Sequence, residues 1–274
     1  MPAAYIGRLA PSPTGLLHLG HAATFWTAFT RAREHHGTLL LRNDDLDRDR
    51  SRREFVSAML EDLTWLGIEW TPPVITQSER LPLYRAALDQ LLASGYVYPC
   101  TCSRRDLARM THAPHEDTDD EPVYPGICRP QYPQPEQPFQ PGTNYRFRIP
   151  DGEIMRFTDL NLGPQTFTSA TDFGDFLVWR KDGVPSYQLA CVVDDAATCI
   201  TEVVRGRDLL KSTARQILLQ RALNLPILDY FHTSLITDEH GTRLAKRHDA
   251  LAIRTLRERG HTSAEVIAMF RPAR

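Results

Sequence analysis

The chain has 274 residues, of which 42% are hydrophobic and 24% charged, and its formal net charge is −2. These values exclude a disordered or fibrous chain and leave room for one large domain or two smaller ones. Because no apolar run approaches the roughly 18 residues of a membrane helix, and the N-terminus lacks the apolar segment of a secretory signal, we expect a cytoplasmic protein.

Charge is distributed unevenly along the chain. Residues 1–202 carry 19 Lys and Arg against 27 Asp and Glu, whereas residues 203–274 carry 13 against 7. This asymmetry is consistent with a polyanion that binds to one face of the protein, and a solvated basic helix face explains it equally well. Five cysteines argue against a disulfide framework in a cytoplasmic chain. Two of them, Cys191 and Cys199, lie in apolar stretches and are predicted to be core residues.

The first ninety residues predict alternating strands and helices. A strand at 5–9, an amphipathic helix at 20–37 and a buried strand at 38–42 form one strand–helix–strand unit. Such a unit implies a parallel sheet with a right-handed crossover. The spacing of apolar residues predicts two further helices, one around 55–66 and one around 83–91.

The composition changes after residue 99. Prolines are dense between residues 114 and 150, and residues 115–122 are acidic, which predicts an insertion into the sheet domain. The strand pattern then returns. The sequence predicts strands for QLACVV at 188–193 and TCITEVV at 198–204, a helix at 208–223 and a strand at 231–236. The predicted fold is α/β, a Rossmann-like parallel-sheet nucleotide-binding domain split by an insertion.

The segment PSPTGLLHLGH lies at 11–21, between the first strand and the first helix. Ligands bind at the carboxyl ends of parallel strands, and the free N–H groups of a helix N-terminus favour phosphate. Gly20 permits close approach of a ligand, while His18 and His21 bring two donors to charge that grows on a phosphoryl group. A histidine-rich turn without a ligand is an equally good interpretation of the spacing alone.

A second polar cluster comes near the C-terminus, in Arg243, Lys246, Arg247 and His248. Three cations in a glycine-adjacent loop suit a mobile clamp over phosphates. Taken alone, the cluster is more often a solvated basic loop.

A third cluster combines Cys100 and Cys102 with Cys128. Three thiolates can hold zinc and leave one tetrahedral position open. The residues alone do not decide between zinc and no metal, and His112 and His115 are chemically typical candidates for the open position. A metal would explain how a proline-rich insertion with little apolar content keeps its shape.

The histidine, basic and cysteine clusters are part of a longer stretch, from about residue 5 to residue 250, that resembles a known enzyme family. GRLAPSPTGLLHLGH and RLAKR resemble the HIGH and KMSKS signatures of class I aminoacyl-tRNA synthetases in their glutamyl form. Three further segments resemble that family in the expected order, namely LRNDDLDRDR, SYQLACVVDD and EVVRGRDLL. The chain stops 28 residues after Lys246, without a long anticodon-binding region. In the short chain after Lys246 and in its cysteine pattern, the sequence is similar to the glutamyl-queuosine tRNA(Asp) synthetases, which are truncated paralogues within the family.

The resemblance implies a ligase that activates L-glutamate with ATP and transfers it to queuosine in the anticodon loop of tRNA(Asp). It implies Mg²⁺ with the ATP phosphates, one zinc ion, and a monomer without a membrane partner. It also implies a division of the chain: residues 1–98 and 188–236 as the two halves of the catalytic domain, 99–187 as an inserted zinc-binding, acceptor-type subdomain, and 237–274 as the KMSKS-like loop with a short helical tail. No anticodon-binding domain is expected.

Roles for individual residues are implied in the same way. The implied catalytic residues are His18, His21 and Lys246. The implied glutamate-binding residues are Arg8, Ser12, Asp44, Tyr187 and Arg205. ATP binding falls to His18, Gly20, His21, Asp208 and Lys246, and the zinc ligands are Cys100, Cys102, Tyr124 and Cys128. Asp44 departs from the family, which has glutamate there, and Asn43 stands where an aliphatic residue is common.

Three other interpretations remain open. One is a truncated, tRNA-dependent glutamyl-tRNA synthetase, against which the missing anticodon-binding region argues. The second is a non-catalytic tRNA-binding module, which has no physical need for His18, His21, Lys246 and Arg8 together. The third is another nucleotidylyltransferase of the same fold, which would not need Arg8, Tyr187 and Arg205.

Overall fold

The structure is a computed structural model, and it describes residues 4–103, 123–234 and 251–270. The chain divides into two compact units. The first comprises residues 1–79, 199–207 and 228–274, and the second comprises residues 80–198 and 208–227. Within the described ranges, no helix combines the length and the apolar character needed to cross a membrane.

The secondary structure of the described residues alternates between strands and helices. The strands are β1 (Ile6–Leu9), β2 (Thr38–Asn43), β3 (Thr71–Thr76), β4 (Val97–Cys100), β5 (Asn144–Phe147), β6 (Ile154–Asp159), β7 (Gly163–Thr168), β8 (Phe176–Trp179), β9 (Glu202–Gly206) and β10 (Asp229–Thr233). The helices are α1 (Leu19–Glu34), α2 (Arg53–Trp65), α3 (Leu81–Ala93), α4 (Tyr187–Ala197), α5 (Leu210–Ala222), α6 (Ile253–Glu258) and α7 (Ser263–Ala268). Short 3₁₀ turns occupy Gln77–Glu79 and Arg207–Leu209.

The first unit is built on parallel strands. β2 pairs in parallel with β1 on one side and with β3 on the other, and β9 pairs in parallel with β10. The Thr201 N–H donates to Ile6 O at 2.8 Å, and Arg8 reaches the Val204 carbonyl at 3.3 Å. These contacts place β9 alongside β1 in the same direction. The carboxyl ends of β1, β2, β9 and β10 therefore lie at one edge, where open α/β sheets bind ligands.

The hydrophobic core of this unit joins the sheet to the helices that cover it. It includes Leu41 from β2, Ala22 from α1, Leu63 from α2 and Ile253 from α6, all with no measurable exposure. In the last turn of α1, the Arg31 guanidinium forms two hydrogen bonds of 2.6 Å with the Glu202 carboxylate. This charged pair ties α1 to the start of β9.

The second unit combines antiparallel strands with three helices. β5 pairs with β4 and β8 in one antiparallel sheet, and β6 and β7 form a hairpin. The helices α3, α4 and α5 belong to the same unit. On α4, the fully buried carboxylate of Asp194 accepts hydrogen bonds from Arg80 at 2.7 Å and from the Tyr84 hydroxyl at 2.8 Å. Helix α4 is thereby fixed to the start of α3.

Most of the predicted elements are confirmed, but one predicted strand is a helix, another is a strand only in part, and one predicted core cysteine is exposed. QLACVV is part of helix α4, which begins after Ser186, whose hydroxyl accepts a hydrogen bond from Leu189 N. Of TCITEVV, only the portion from Glu202 is a strand. Cys191 is buried as predicted, but Cys199 is exposed. It lies in the turn between α4 and β9, at a φ of 55°, and its side chain faces solvent.

One buried carboxyl group of the first unit has no hydrogen bond within the described residues. The Asp62 side chain on α2 has no measurable exposure, and within the described residues neither of its oxygens has a hydrogen-bonding partner. Its nearest cation is Arg257 Nη1 at 3.6 Å. Burial raises the pKa of Asp62 to about 6, although Arg254 and Arg257 act in the opposite direction. Ionisation of this group is therefore less favourable in the folded state than in the unfolded chain.

We expect Asp62→Asn to stabilise the protein at neutral pH relative to acid pH. Because the pKa of Asp62 is higher in the folded state than in the unfolded chain, the wild-type protein becomes less stable as the pH rises from 3.8 to about 6. Asparagine at this position does not ionise and avoids that loss. The free energy of unfolding, variant minus wild type, should therefore rise by about 1–3 kcal/mol between pH 4 and pH 7.5. Urea unfolding at both pH values measures it. Glu61→Gln removes an exposed neighbour and should change the same difference by less than about 1 kcal/mol.

Candidate active site

The first helix begins at the predicted phosphate-binding motif. His18 is the N-cap of α1, and its Nδ1 accepts hydrogen bonds from Gly20 N at 3.1 Å and His21 N at 3.4 Å. In return, His21 Nδ1 accepts from His18 N at 3.3 Å. The two imidazoles therefore form a capping box, and they stack with ring centroids 3.6 Å apart.

These hydrogen bonds fix the tautomers of both rings. Because each Nδ1 accepts a backbone N–H, the proton of each neutral imidazole resides on Nε2. Desolvation by the surrounding chain, together with the nearby His18, lowers the pKa of His21 to about 3, although the residue keeps an exposed edge. At neutral pH His21 is thus a neutral N–H donor. Two Nε2–H donors at a helix N-terminus are suited to phosphate oxygens.

A short backbone bridge connects this motif to the C-terminal segment. Leu19 N donates to Leu251 O at 3.1 Å, and Ile253 N donates to Leu17 O at 2.8 Å. These bonds flank an antiparallel bridge between His18 and Ala252. Residues 235–250, which include Arg243, Lys246, Arg247 and His248, lie outside the described residues. Their predicted roles stay predictions.

Two buried arginines lie on the neighbouring strands β1 and β9. Arg8 is 5% exposed and Arg205 is 4% exposed. Arg205 Nε donates to His232 Nε2 at 3.2 Å, across the β9–β10 register that sets these two residues opposite each other. Two buried guanidinium groups concentrate positive charge inside the unit. Such charge is stable only beside an anion or well-placed acceptors, and the Val204 carbonyl and His232 Nε2 are two of these acceptors.

Asp44 follows directly after β2, at the same edge as the loop after β1. Its backbone N–H donates to Pro11 O at 3.0 Å. Its carboxylate is 6% exposed and accepts two hydrogen bonds from the Arg42 guanidinium, at 2.6 and 3.1 Å. Asp44 is therefore a buried, paired carboxylate and not a solvated surface group. Ser12, by contrast, is exposed in the loop after β1.

The remaining predicted ligand contacts fall in the second unit. Tyr187 is the first residue of α4 and is 41% exposed. Asp208 is exposed in the 3₁₀ turn that precedes α5. Both residues thus lie at helix starts, where N–H groups and the helix dipole favour negatively charged ligands.

The cysteine cluster of the second unit forms as predicted. The sulfur atoms of Cys100, Cys102 and Cys128 all lie within 4.8 Å of one another, with Cys102 and Cys128 separated by 3.6 Å. Tyr124 is the fourth member: its hydroxyl oxygen lies 3.5 Å from Cys100 Sγ and 3.7 Å from Cys102 Sγ. Ligands about 2.3 Å from a tetrahedral zinc ion are about 3.8 Å apart. The four groups therefore fit a single zinc ion.

The groups of the cluster have pKa values shifted in opposite directions. Tyr124 Oη accepts a hydrogen bond from Cys128 N at 2.8 Å, but burial and the hydrogen bond with Cys100 raise the pKa of the Tyr124 hydroxyl, and burial raises the pKa of Cys102 to about 11. Burial acts to raise the pKa of Cys128, but hydrogen bonds with Tyr124, Thr101 and Cys102 outweigh it and lower that pKa to about 6. His112 and His115, the other candidate ligands, lie outside the described residues.

A family model supplies the decisive comparison. The model for the catalytic domain of "tRNA synthetases class I (E and Q)" matches residues 6–272. The chain belongs to this family. Its histidine motif, parallel sheet and split architecture are thus those of a class I synthetase catalytic domain.

Curated relatives narrow the comparison within the class I synthetases. The chain is 46% identical over 272 residues to a protein of Symbiobacterium thermophilum named glutamyl-Q tRNA(Asp) synthetase, covering 95% of this chain and 83% of that relative. It is 43% identical over 275 residues to a protein of the same name from Rhodobacter capsulatus, covering 95% of this chain and 98% of that relative.

A solved class I synthetase shares the fold over part of its length. The glutamate tRNA ligase of Elizabethkingia meningosepticum, solved with its amino acid, matches with a TM-score of 0.75 and 27% identity. The match covers 94% of this chain and 54% of that chain. The chain thus spans about half the length of this solved ligase.

Sequence reasoning did not identify two residues that contact predicted site residues of this class I synthetase. Arg42 binds Asp44, and His232 contacts Arg205. A signal existed for the first pair, because residues i and i+2 of an extended chain point to the same side. None existed for His232, whose role depends on the register between β9 and β10.

Proposed function

We propose that this class I synthetase joins L-glutamate to AMP and then transfers the glutamyl group to queuosine in the anticodon loop of tRNA(Asp). Activation is carried by one observation, the pair of Nε2–H donors at the start of α1 beside a sheet edge with two buried arginines. The acceptor is supported by relatives that bear this function in their names and match 95% of this chain, covering 83% and 98% of their own lengths.

The first step follows from the geometry of the first unit. A carboxylate oxygen of glutamate attacks the α-phosphorus of ATP, the new O–P bond forms in line, and the bond to the departing pyrophosphate breaks. No general base is needed, so positioning and charge stabilisation set the rate. His18 and His21 donate to phosphate oxygens through Nε2, and Mg²⁺ neutralises phosphate charge when it is bound.

Glutamate recognition is assigned to the buried charges. Arg8 and Arg205 bind the carboxylate that does not react, for which a guanidinium fork is better suited than lysine. Asp44 receives the amino group, since its buried carboxylate follows directly after β2 at the edge of the sheet where ligands bind. Ser12 and Tyr187 complete the glutamate site, Gly20, Asp208 and Lys246 contribute to the ATP site, and Lys246 also assists catalysis.

Zinc is proposed to be structural and bound by Cys100, Cys102, Tyr124 and Cys128. All four protein ligands fill the tetrahedron, which leaves no position for substrate. When bound, zinc supplies cross-links between β4 and the proline-rich segment. We also propose the domain division given above, with the zinc-binding insertion at 99–187, and a cytoplasmic monomer.

The test is glutamate-dependent ATP–pyrophosphate exchange without tRNA, followed by transfer of labelled glutamate to tRNA. We expect exchange in the absence of tRNA, and labelling of tRNA(Asp) only when it carries queuosine. Labelling of tRNA(Glu), with exchange that requires tRNA, would instead identify a truncated glutamyl-tRNA synthetase. Absence of exchange under all conditions from folded, zinc-loaded protein would indicate a non-catalytic binding module.

A further inference from the structure

We propose that Arg146 is a positioning residue of the cysteine cluster, whose buried guanidinium compensates the negative charge of the metal–thiolate centre and so strengthens zinc binding. The inference rests on the zinc site proposed above. It assigns to this centre a residue from β5, a strand that contributes none of the four ligands.

Arg146 touches two of the proposed ligands at once. Its Nε donates to Cys100 Sγ at 3.3 Å, and its guanidinium carbon lies 4.0 Å from the centre of the Tyr124 ring. A third contact, from Nη1 to Asp175 O at 2.9 Å, fixes the other side of the fork. The residue is 4% exposed, so water does not replace these partners.

The surroundings of Arg146 lack the usual counter-ion. Among residues 4–103, 123–234 and 251–270, no carboxylate pairs with its guanidinium. Asp175 offers Arg146 its backbone carbonyl, while its carboxylate accepts from Tyr98 Oη at 2.7 Å and from Arg129 Nη1 and Ile149 N, each at 2.9 Å. The cysteine cluster is therefore the anionic partner that remains.

The charge of a loaded centre matches this requirement. Three thiolates and one Zn²⁺ ion sum to −1, and a phenolate ligand makes the sum −2. A neutral thiol is only a weak acceptor and would leave the buried guanidinium uncompensated, which is strongly unfavourable. A metal-bound thiolate satisfies the same N–H and the same charge.

Geometry gives Arg146 a second effect on the same ligands. Cys100 ends β4, whereas Tyr124 comes from the segment that leads to Cys128. One rigid guanidinium plane that hydrogen-bonds the sulfur and stacks on the ring holds both ligands at a fixed separation. Arg146 therefore organises the site before the ion enters, as outer-shell partners of metal ligands do.

The inference is tested by measuring zinc affinity in the full-length protein by competition with a chromogenic chelator. We expect Arg146→Met to weaken zinc binding by about 10- to 100-fold, the range for loss of an outer-shell partner. Arg146→Lys should fall between Met and wild type, because it keeps the charge and loses the planar fork. Arg148→Met is the matched control, since among the described residues the Arg148 guanidinium donates to the carbonyls of Pro130 and Gln131 and to none of the proposed ligands, and it should bind zinc like wild type.

The outcomes separate this inference from the zinc site itself. A wild-type protein without stoichiometric zinc would contradict the site. Zinc in the wild type with unchanged affinity in Arg146→Met would overturn the role of Arg146 alone. In Co²⁺-loaded Arg146→Met, unchanged tetrahedral bands that need more Co²⁺ to reach saturation would support it. If Arg146→Met does not fold, Arg146→Lys decides: weaker binding supports the inference, and wild-type affinity overturns it.

Discussion

Replacement of His18 by asparagine is expected to slow glutamate-dependent ATP–pyrophosphate exchange by about 10²- to 10³-fold, the loss typical of one donor to developing charge. The choice of asparagine separates two roles of this residue. His18 caps α1 through Nδ1, and asparagine is among the best N-cap residues. The helix should therefore begin normally, while the Nε2–H donor is lost.

The control for this experiment lies at the other end of the same helix. His35 is the exposed C-cap of α1 and stacks on Tyr5 with ring centroids 4.8 Å apart. His35→Ala should leave the exchange rate unchanged. Exchange rates within threefold of wild type for His18→Asn, with normal thermal stability, would remove His18 from catalysis and reduce it to a cap.

The second large effect is expected from Cys128→Ala. Structural zinc sites contribute about 10–16 kcal/mol of apparent binding free energy in small domains, and much of it is folding free energy. Removal of one of three thiolates should abolish stoichiometric zinc, measured by atomic absorption. It should also lower the midpoint of thermal unfolding, and a strong chelator should lower the wild-type midpoint in the same way.

Cys199→Ala provides the matched control, since Cys199 is exposed and belongs to the first unit. It should retain zinc and the wild-type midpoint. If Cys128→Ala kept one zinc ion per chain, the ion would be bound elsewhere, and the assignment of the cluster would be wrong.

Much of the fold could be predicted because the first unit follows local rules. The apolar spacing of α1 and the turn before it predict the strand–helix–strand unit, and the parallel pairing of β1 with β2 confirms it. Helix α4 was missed for a physical reason. Its residues from Leu189 to Val193 are buried on every side, so neither a period of two nor a period of 3.6 is visible. The N-cap signal of Ser186 was the available clue.

The site shows the same division between local and long-range information. The cysteine spacing and Tyr124 predicted a cluster that the structure assembles. The roles of Arg146 and His232 could not be predicted, because each depends on a strand pairing between distant parts of the chain. Cys199 was misplaced since an apolar neighbourhood in sequence does not reveal a residue with positive φ.

The bridge between Leu17–Leu19 and Leu251–Ile253 has a consequence for chain entropy. The stretch 235–250 is bounded on one side by this bridge and on the other by β10, where the Thr233 hydroxyl lies 3.1 Å from that of Thr24 on α1. Both boundaries are thus attached to one helix. Because both boundaries are held by the same helix, unfolding of α1 would release both ends of this stretch together, and the chain entropy lost on bringing them together would be regained in a single step.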